Sequence, residues 1–358
     1  MRIKQVIVNG PHQVDLVERD IPDKPAAGEV LIETEKTFIS AGTELANYTA
    51  LDPSVHIAGS WNHYPWLAGY ANAGRVIAVG DETQGINEGD RVYSFGKHVS
   101  HHYVSLSDPV GLRTIAGQSF ASGIPPLIAL IPDDVSSEVA VAARMAGVAI
   151  SALRVSTAQA GDSVAVFGLG LVGNLCAQFF QTQGCRVYGI DPMPARRKLA
   201  NKVGITNTLT GTDSKIRDQL LEITNGDGVT VAIDAVGDYL VVKEAASVVA
   251  QAGEVIFLGS QRAEREGGFT DVLRPVHWKH VRYIGALEWQ FPLHPTRGTR
   301  HSTYSNIQRI YELIADKKID VESLISHRMK PKEIKLAYDS LLNDKDHYWG
   351  VVLDWTSN

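Results

Sequence analysis

One run constrains this chain more than any other: Val164-Ala-Val-Phe-Gly168-Leu-Gly170-Leu-Val-Gly173. An apolar stretch, Ser163–Phe167, leads into three glycines spaced G-x-G-x-x-G, and residues 171–183, of helical composition, follow at once. The first glycine permits a tight turn, the second lets the main chain approach a pyrophosphate, and the third lets helix and strand pack closely. The first N–H groups of the helix then face the phosphates. The next apolar run, Arg186–Ile190, ends at Asp191, where a carboxylate can accept hydrogen bonds from the ribose hydroxyls of an adenosine. A 2′-phosphate would be repelled there, which favours NAD over NADP. Arg196 and Arg197 follow; one of them can cover the adenine, and together they leave room for dual use.

Strands and helices keep alternating beyond this motif. Helices are expected over 195–203, 214–224 and 239–250, and strands over 229–235, 254–258 and 282–287. Alternation with near-continuous apolar strands predicts a parallel, doubly wound Rossmann sheet covered on both faces. Ligands in such sheets bind at the carboxyl ends of the strands. The expected cofactor residues are therefore Gly168, Leu169, Gly170, Leu171, Val172, Gly173, Asp191 and Arg196, joined by Ala235, Val236, Gly237, Gly259, Ser260, Leu287 and Glu288 at later strand ends.

Before this region the pattern differs. Short β signals at 4–8, 29–33, 74–79 and Arg91–Ser94 are separated by Gly, Pro and Asp, which predicts a compact, mostly antiparallel β domain. An alanine-rich helix over 136–155, capped by Ser136, opens the second region. The tail offers one more helix from Ser305, short elements, and a last strand over 348–353. The chain thus divides into 1–135, a mostly β domain; 136–289, the dinucleotide-binding domain; and 290–358, a return to the first.

Bulk properties narrow the partners. The 358 residues suffice for two cores, and a net charge of -6 gives no basic surplus for nucleic acid. No apolar run of membrane-spanning length occurs; the nearest, 114–132, is broken by Gly and Pro. The start, MRIKQVIVNG, reads as a strand rather than a signal peptide, and two cysteines make no disulfide framework, so a reduced cytoplasmic setting is expected.

With these motifs in place, the chain resembles the medium-chain dehydrogenase/reductase superfamily over nearly its whole length. The likeness is carried by Gly28-Glu-Val-Leu-Ile32, Gly42-Thr43-Glu44, Gly74-Arg-Val76, Val79-Gly80, Gly89-Asp-Arg-Val92, 167–173, Asp234-Ala-Val-Gly237 and Ser326-His-Arg328. The resemblance implies a GroES-like catalytic domain, a Rossmann domain with a cleft between them, and a homodimer or homotetramer. It also implies that Glu44 pairs with an arginine.

The departures fall on the metal. The family's first catalytic zinc ligand is a cysteine where this chain has Ala41; Gly69-Tyr70-Ala71 replaces the family's Gly-His-Glu; and 144–146 offer no Cys, His or Asp for the third. The four-cysteine lobe for structural zinc is absent too. Zinc needs about four N, S or O donors, so no zinc is expected.

Without a metal, side chains must take the substrate's proton and stabilise its oxyanion. Thr43 matches the family's relay hydroxyl. Tyr70 either offers its O–H to the vacated space or simply fills it. In Lys97-His98-Val-Ser-His101-His102, a strand would put His98 and His102 on one face and His101 on the other, and His98, with Lys97, is the acid/base candidate. His63, among Trp61, Tyr64 and Trp66, either lines the cleft or anchors a loop. The basic loop with His294, Arg297, Arg300 and His301 reads as solvated or subunit-facing, with substrate contact as the alternative.

The expected function is a zinc-independent NAD(H) oxidoreductase interconverting hydroxyl and carbonyl on a sugar, polyol or related secondary alcohol, a small-molecule substrate. A quinone or enoyl reductase is the enzymatic alternative, and a non-catalytic NAD(H)-binding sensor the alternative from another class.

Overall fold

A computed structural model of the chain describes residues 1–106, 127–211 and 214–356. Two compact units emerge. Met1–Arg144, Phe291–Ala315 and Ile325–Asn358 form the first, and Met145–Gln290 with Asp316–Leu324 form the second. The division falls inside a helix rather than at its start, and 316–324 joins the second unit.

In chain order the first unit begins with β1 (Arg2–Gly10), β2 (Gln13–Asp20), β3 (Glu29–Phe38), α1 (Ala41–Tyr48), β4 (Trp66–Leu67), β5 (Asn72–Val79), β6 (Arg91–Ser94), β7 (His101–Ser105) and β8 (Ile128–Leu130). Helix α2 (Ser137–Val155) follows, its Val139 N–H bonded to the Ser136 hydroxyl as the cap predicts. The second unit runs β9 (Ser163–Phe167), α3 (Leu171–Thr182), β10 (Arg186–Ile190), α4 (Pro194–Lys202), β11 (Thr208–Leu209), α5 (Ser214–Ile223), β12 (Val229–Asp234), α6 (Tyr239–Val248), β13 (Val249–Phe257), α7 (Thr270–Trp278) and β14 (Arg282–Gly285). The tail gives α8 (Thr303–Ala315), β15 (His327–Met329), α9 (Ile334–Asn343) and β16 (Val351–Asp354).

The second unit holds six parallel strands in the order β11-β10-β9-β12-β13-β14. Numbered within the unit this is 3-2-1-4-5-6, the doubly wound Rossmann order, whose switch point lies between β9 and β12. All five residues of β9 are buried, which is why the strand reads as an apolar run rather than an alternation.

The first unit is the mostly β domain. Its larger sheet runs β15-β16-β3-β5-β6-β8, with β7 also on β3. Strand β5 covers one edge of β3. The other edge is shared: β7 pairs with residues 29–33 and β16 with 36–38. Val30, Ile32, Val76, Val92 and Val104 fill one core, and Val6, Val8, Ile39, Tyr48, Trp66, Tyr338 and Leu353 fill another.

Three elements depart from the sequence expectation. Helix α6 stops at Val248, and Val249 already pairs with Val229, because the strand begins earlier and irregularly around Ala252, whose φ is 57°. Helix α7 was not expected; it carries a proline, Pro275, and no buried residue, so no apolar period marks it. Helix α1 was not expected either, its eight residues being a polar-looking AGTELANY stretch after β3.

Candidate active site

Strand β3 delivers the chain to Ser40, from which α1 starts. Glu44 lies in the first turn, where the helix dipole favours a carboxylate. It reaches back so that the Ser40 N–H donates to Glu44 Oε1 at 2.7 Å. Its other oxygen, Oε2, meets His98 Nε2 at 2.9 Å and accepts from the Tyr338 hydroxyl at 2.6 Å. Glu44 and His98 are both fully buried. Burial opposes the Glu44 charge, but His98, Tyr338 and the Ser40 amide outweigh it and hold the carboxyl below its ordinary range. The expected arginine partner is therefore corrected: an imidazole and a phenol take its place.

Tyr70 is buried beside this group and donates to the Ser40 hydroxyl. The Thr43 hydroxyl, half-buried on α1, also bonds to it. Arg144, buried on α2, places its guanidinium carbon 4.8 Å from the ring centres of both Tyr70 and Phe95. Burial raises the Tyr70 pKa, and the Arg144 charge works against that rise.

The Lys97–His102 run is not a single strand. β7 begins only at His101, and the Val6 N–H takes the His98 carbonyl in the turn before it. The three histidines consequently face three surroundings. His98 packs on Gly69, where any Cβ would lie 2.6 Å from its main-chain nitrogen and 2.7 Å from its ring. His102 sits 2.9 Å from the Ser94 hydroxyl, and burial, with help from His101, pushes its pKa down to about 4. His101 is half-buried against Ser100. Lys97 is half-buried next to the Glu44–His98 pair, and burial pushes its ammonium pKa down to about 8 against the pull of Glu44. His63 is exposed in the turn closed by its N–H to the Ser60 carbonyl, outside this buried group.

In the second unit, Gly168 follows β9 with φ 93°, and a Cβ on Gly173 would lie 1.9 Å from the Gly168 carbonyl oxygen. Both positions need glycine. Gly170 starts α3 with no side-chain cap, so the first amides at Leu171, Val172 and Gly173 are left for a ligand. An Arg196 guanidinium nitrogen lies 2.6 Å from where a Gly170 Cβ would stand, so Arg196 covers the turn. Asp191 is buried at the end of β10, accepting from Leu169 N–H and Met193 N–H at 2.8 Å each. Each carboxylate oxygen keeps a second lone pair for a ribose hydroxyl.

Across the switch point, Asp234 accepts from Val236 and Gly237 N–H, which shapes the Ala235-Val236-Gly237 turn. That turn packs on Gly259 and Ser260; a Cβ at Gly237 would lie 2.3 Å from the Ser260 carbonyl. Leu287 is exposed and Glu288 buried at the turn Glu288–Gln290. The residues present fit a dinucleotide. They do not fit zinc: Ala41, Tyr70 and 144–146, where the resemblance would put its ligands, carry no Cys, His or Asp. Among the described residues no three His, Cys, Asp or Glu side chains gather to hold a metal.

Sequence reasoning missed Tyr338 and the chemical part played by Glu44. Tyr338 lies on α9, far along the chain, and nothing local marks it. Arg144 was noticed only as a position without a metal ligand; a lone cation inside the alanine-rich run 140–149 was the available signal.

A profile of the zinc-binding dehydrogenase family matches residues 172–290. The chain is 29% identical to a (R,R)-butanediol dehydrogenase of Bacillus subtilis over 205 residues, which is 54% of this chain and 58% of that protein. It is 22% identical to a D-xylulose reductase of Scheffersomyces stipitis over 355 residues, 93% and 94% of the two chains. The structure of 2R,3R-butanediol dehydrogenase from Bacillus subtilis shares the fold with a TM-score of 0.78 at 17% identity, over 98% of this chain and 99% of that one. Profile, relatives and fold agree with the glycine turn and the strand order, and residues 172–290 match the zinc-binding dehydrogenase family.

Proposed function

We propose that this chain is a zinc-independent, NAD(H)-dependent oxidoreductase that interconverts a hydroxyl and a carbonyl on a polyol, sugar or related secondary alcohol. The observation that carries this reading is the gathering of the Thr43, Tyr70 and Ser40 hydroxyls beside the Glu44–His98 pair. These groups occupy the region where the family's zinc ligands would lie. The substrate class follows the relatives, a butanediol dehydrogenase and a xylulose reductase among them.

Asp191 supports NAD over NADP, because a 2′-phosphate beside this buried carboxylate would bring two negative charges together. A bound NAD, held at the glycine turn and Asp191, would supply the hydride acceptor for the carbinol carbon. The rest falls to side chains. The Thr43 hydroxyl holds the substrate oxygen, and Tyr70 passes the hydrogen bond inward to Ser40. The Arg144 cation against the Tyr70 ring makes that phenol a stronger donor to Ser40. The two buried free cysteines support a reduced cytoplasmic setting. Among the described residues no helix is long and apolar enough to cross a membrane.

Elemental mass spectrometry of protein produced with zinc available, paired with NAD- and NADP-linked assays on polyols and secondary alcohols, tests the reading. Zinc well below one per chain with NAD-linked turnover is expected. Stoichiometric zinc removes the metal-free mechanism, and turnover confined to enones or quinones removes the hydroxyl substrate.

A further inference from the structure

Helix α1 starts after Ser40 and carries Thr43, so whatever fixes α1 also fixes the hydroxyls of the proposed chemistry. Two struts reach it from α9, near the far end of the chain. The inner one is buried: the Tyr338 hydroxyl donates to Glu44 Oε2 at 2.6 Å. The outer one lies a turn further along α1. There the Tyr48 hydroxyl donates to Asp339 Oδ1 at 2.9 Å, and Lys335 Nζ donates to the Tyr48 oxygen at 3.1 Å and to Asp339 Oδ2 at 2.8 Å. Between the struts the rings of Tyr48 and Tyr338, both fully buried, meet edge to face with centres 5.1 Å apart.

The two struts differ in where they lead. The outer one ends in the exposed Lys335–Asp339 pair, which holds the helices together and touches nothing else of the site. The inner one continues inward. Glu44 Oε2, which takes the Tyr338 hydroxyl, also meets His98 Nε2 at 2.9 Å, and Oε1 takes the Ser40 N–H at 2.7 Å. Ser40 accepts the Tyr70 hydroxyl, and Tyr70 bonds to Thr43. Ser40, Glu44, Tyr70, His98 and Tyr338 are all buried, so no water stands in for a lost partner at low cost.

We infer, resting on the proposed hydroxyl–carbonyl reaction, that Tyr338 is a positioning residue: through Glu44 it sets where Ser40 stands, and so where the Tyr70 and Thr43 hydroxyls meet the substrate oxygen. Tyr338 itself meets no reacting atom, and no proton or electron passes through it. The tail of the chain thereby completes a site whose hydroxyls all lie between Ser40 and Tyr70.

The physical reason lies in the carboxylate. Held by donors from three parts of the chain, it has one orientation. Without the Tyr338 hydroxyl, one buried oxygen keeps only His98, whose ring is wedged against Gly69 and cannot follow a moving partner. The carboxylate then turns toward His98 and off the Ser40 amide, and Ser40 carries the Tyr70 hydroxyl with it.

Two substitutions separate positioning from stability. Tyr338→Phe removes the inner hydroxyl and Tyr48→Phe the outer one, each keeping its ring, and both are expected to lower the urea midpoint. Hydrogen exchange of the full-length protein, read at the Ser40 amide by NMR, needs no substrate. Exchange there is expected to run about tenfold faster in Tyr338→Phe, the worth of one hydrogen bond to a charged acceptor, and to hold in Tyr48→Phe. Unchanged Ser40 exchange in Tyr338→Phe overturns the inference whether or not any alcohol is turned over. With the best alcohol, kcat is expected to fall about tenfold in Tyr338→Phe while KM and the NAD Kd stay within about twofold, and Tyr48→Phe should keep the parent kcat. In a Tyr70→Phe background, which has already lost the hydroxyl being positioned, Tyr338→Phe is expected to cost nothing more. An equal loss of kcat in both backgrounds makes Tyr338 a core residue only, and overturns the inference. Should Tyr338→Phe not fold, Glu44→Gln, whose amide offers one oxygen where the carboxylate offers two, is read in the same way. Failure to turn over any alcohol counts against the proposed reaction, while the Ser40 exchange rate passes or fails separately.

Discussion

Leu169 donates its main-chain N–H to Asp191 Oδ2 at 2.8 Å, so the glycine turn after β9 and the acid that ends β10 hold each other in place. One carboxylate therefore fixes the turn, and in the proposed function it also marks the adenosine end of the cofactor.

Asp191→Ser is expected to raise the KM for NAD by about 10- to 100-fold, the loss of one or two hydrogen bonds to a charged acceptor. The NADP-to-NAD ratio of kcat/KM should rise as repulsion is removed. Steady-state kinetics with both cofactors checks this, and unchanged discrimination would show that Asp191 does not set it.

Gly173→Ala places a Cβ 1.9 Å from the Gly168 carbonyl oxygen, a main-chain atom that cannot rotate away. Overpacking of this kind costs about 1–3 kcal/mol, and α3 must move off the turn. The thermal shift induced by NAD in the parent protein should disappear. Gly285→Ala, with open space at its Cβ and an ordinary φ, is the matched control and should keep that shift.

Tyr70→Phe and Thr43→Ala remove the hydroxyls that bond to each other beside Ser40. Each is expected to lower kcat by about 10²–10³-fold, the size of effect seen when an oxyanion donor is lost. Binding of NAD, read by fluorescence titration, should stay unchanged. Weakened NAD binding would show that the substitution had damaged the fold rather than the chemistry.

His102 gives a pH signature in stability rather than in rate. Burial lowers its folded pKa to about 4 from an ordinary value of 6.5. Above pH 6.5 the ring is neutral in both states. As pH falls through 6.5 the unfolded chain takes up a proton first, so stability is lost until about pH 4, by up to ~3 kcal/mol. His102→Gln is expected to flatten the stability profile between pH 6.5 and 4 in urea titrations. An unchanged acid limb would place its cause elsewhere.

The second unit was the more legible in sequence, for a physical reason. Its central strands are buried on both faces and the turn glycines Gly168 and Gly173 are demanded by a positive φ and a main-chain contact, so Ser163–Phe167, Arg186–Ile190 and Gly168–Gly173 announce themselves locally. The first unit joins distant pieces. Glu44 reads as an acid awaiting an arginine because nothing near it in the chain shows that Tyr338 arrives from α9 to share its oxygen. The Lys97–His102 run was misread as a strand because three of its six residues are histidines, whose alternation suggests a face. Gly69 and the Gln5–Val99 bridge instead turn His98 inward before β7 begins.

One edge of strand β3 takes its partners from distant parts of the chain: Ile32 pairs with His102, whereas Phe38 pairs with Val352. On a ribosome the nearly contiguous second unit can close while later codons are still being read, but the far half of that β3 edge stays open until residues 351–354 have emerged. An unpaired sheet edge recruits other chains. Products truncated before residue 351 should therefore aggregate through β3, making β16 a checkpoint on whether such a polypeptide survives in the cell.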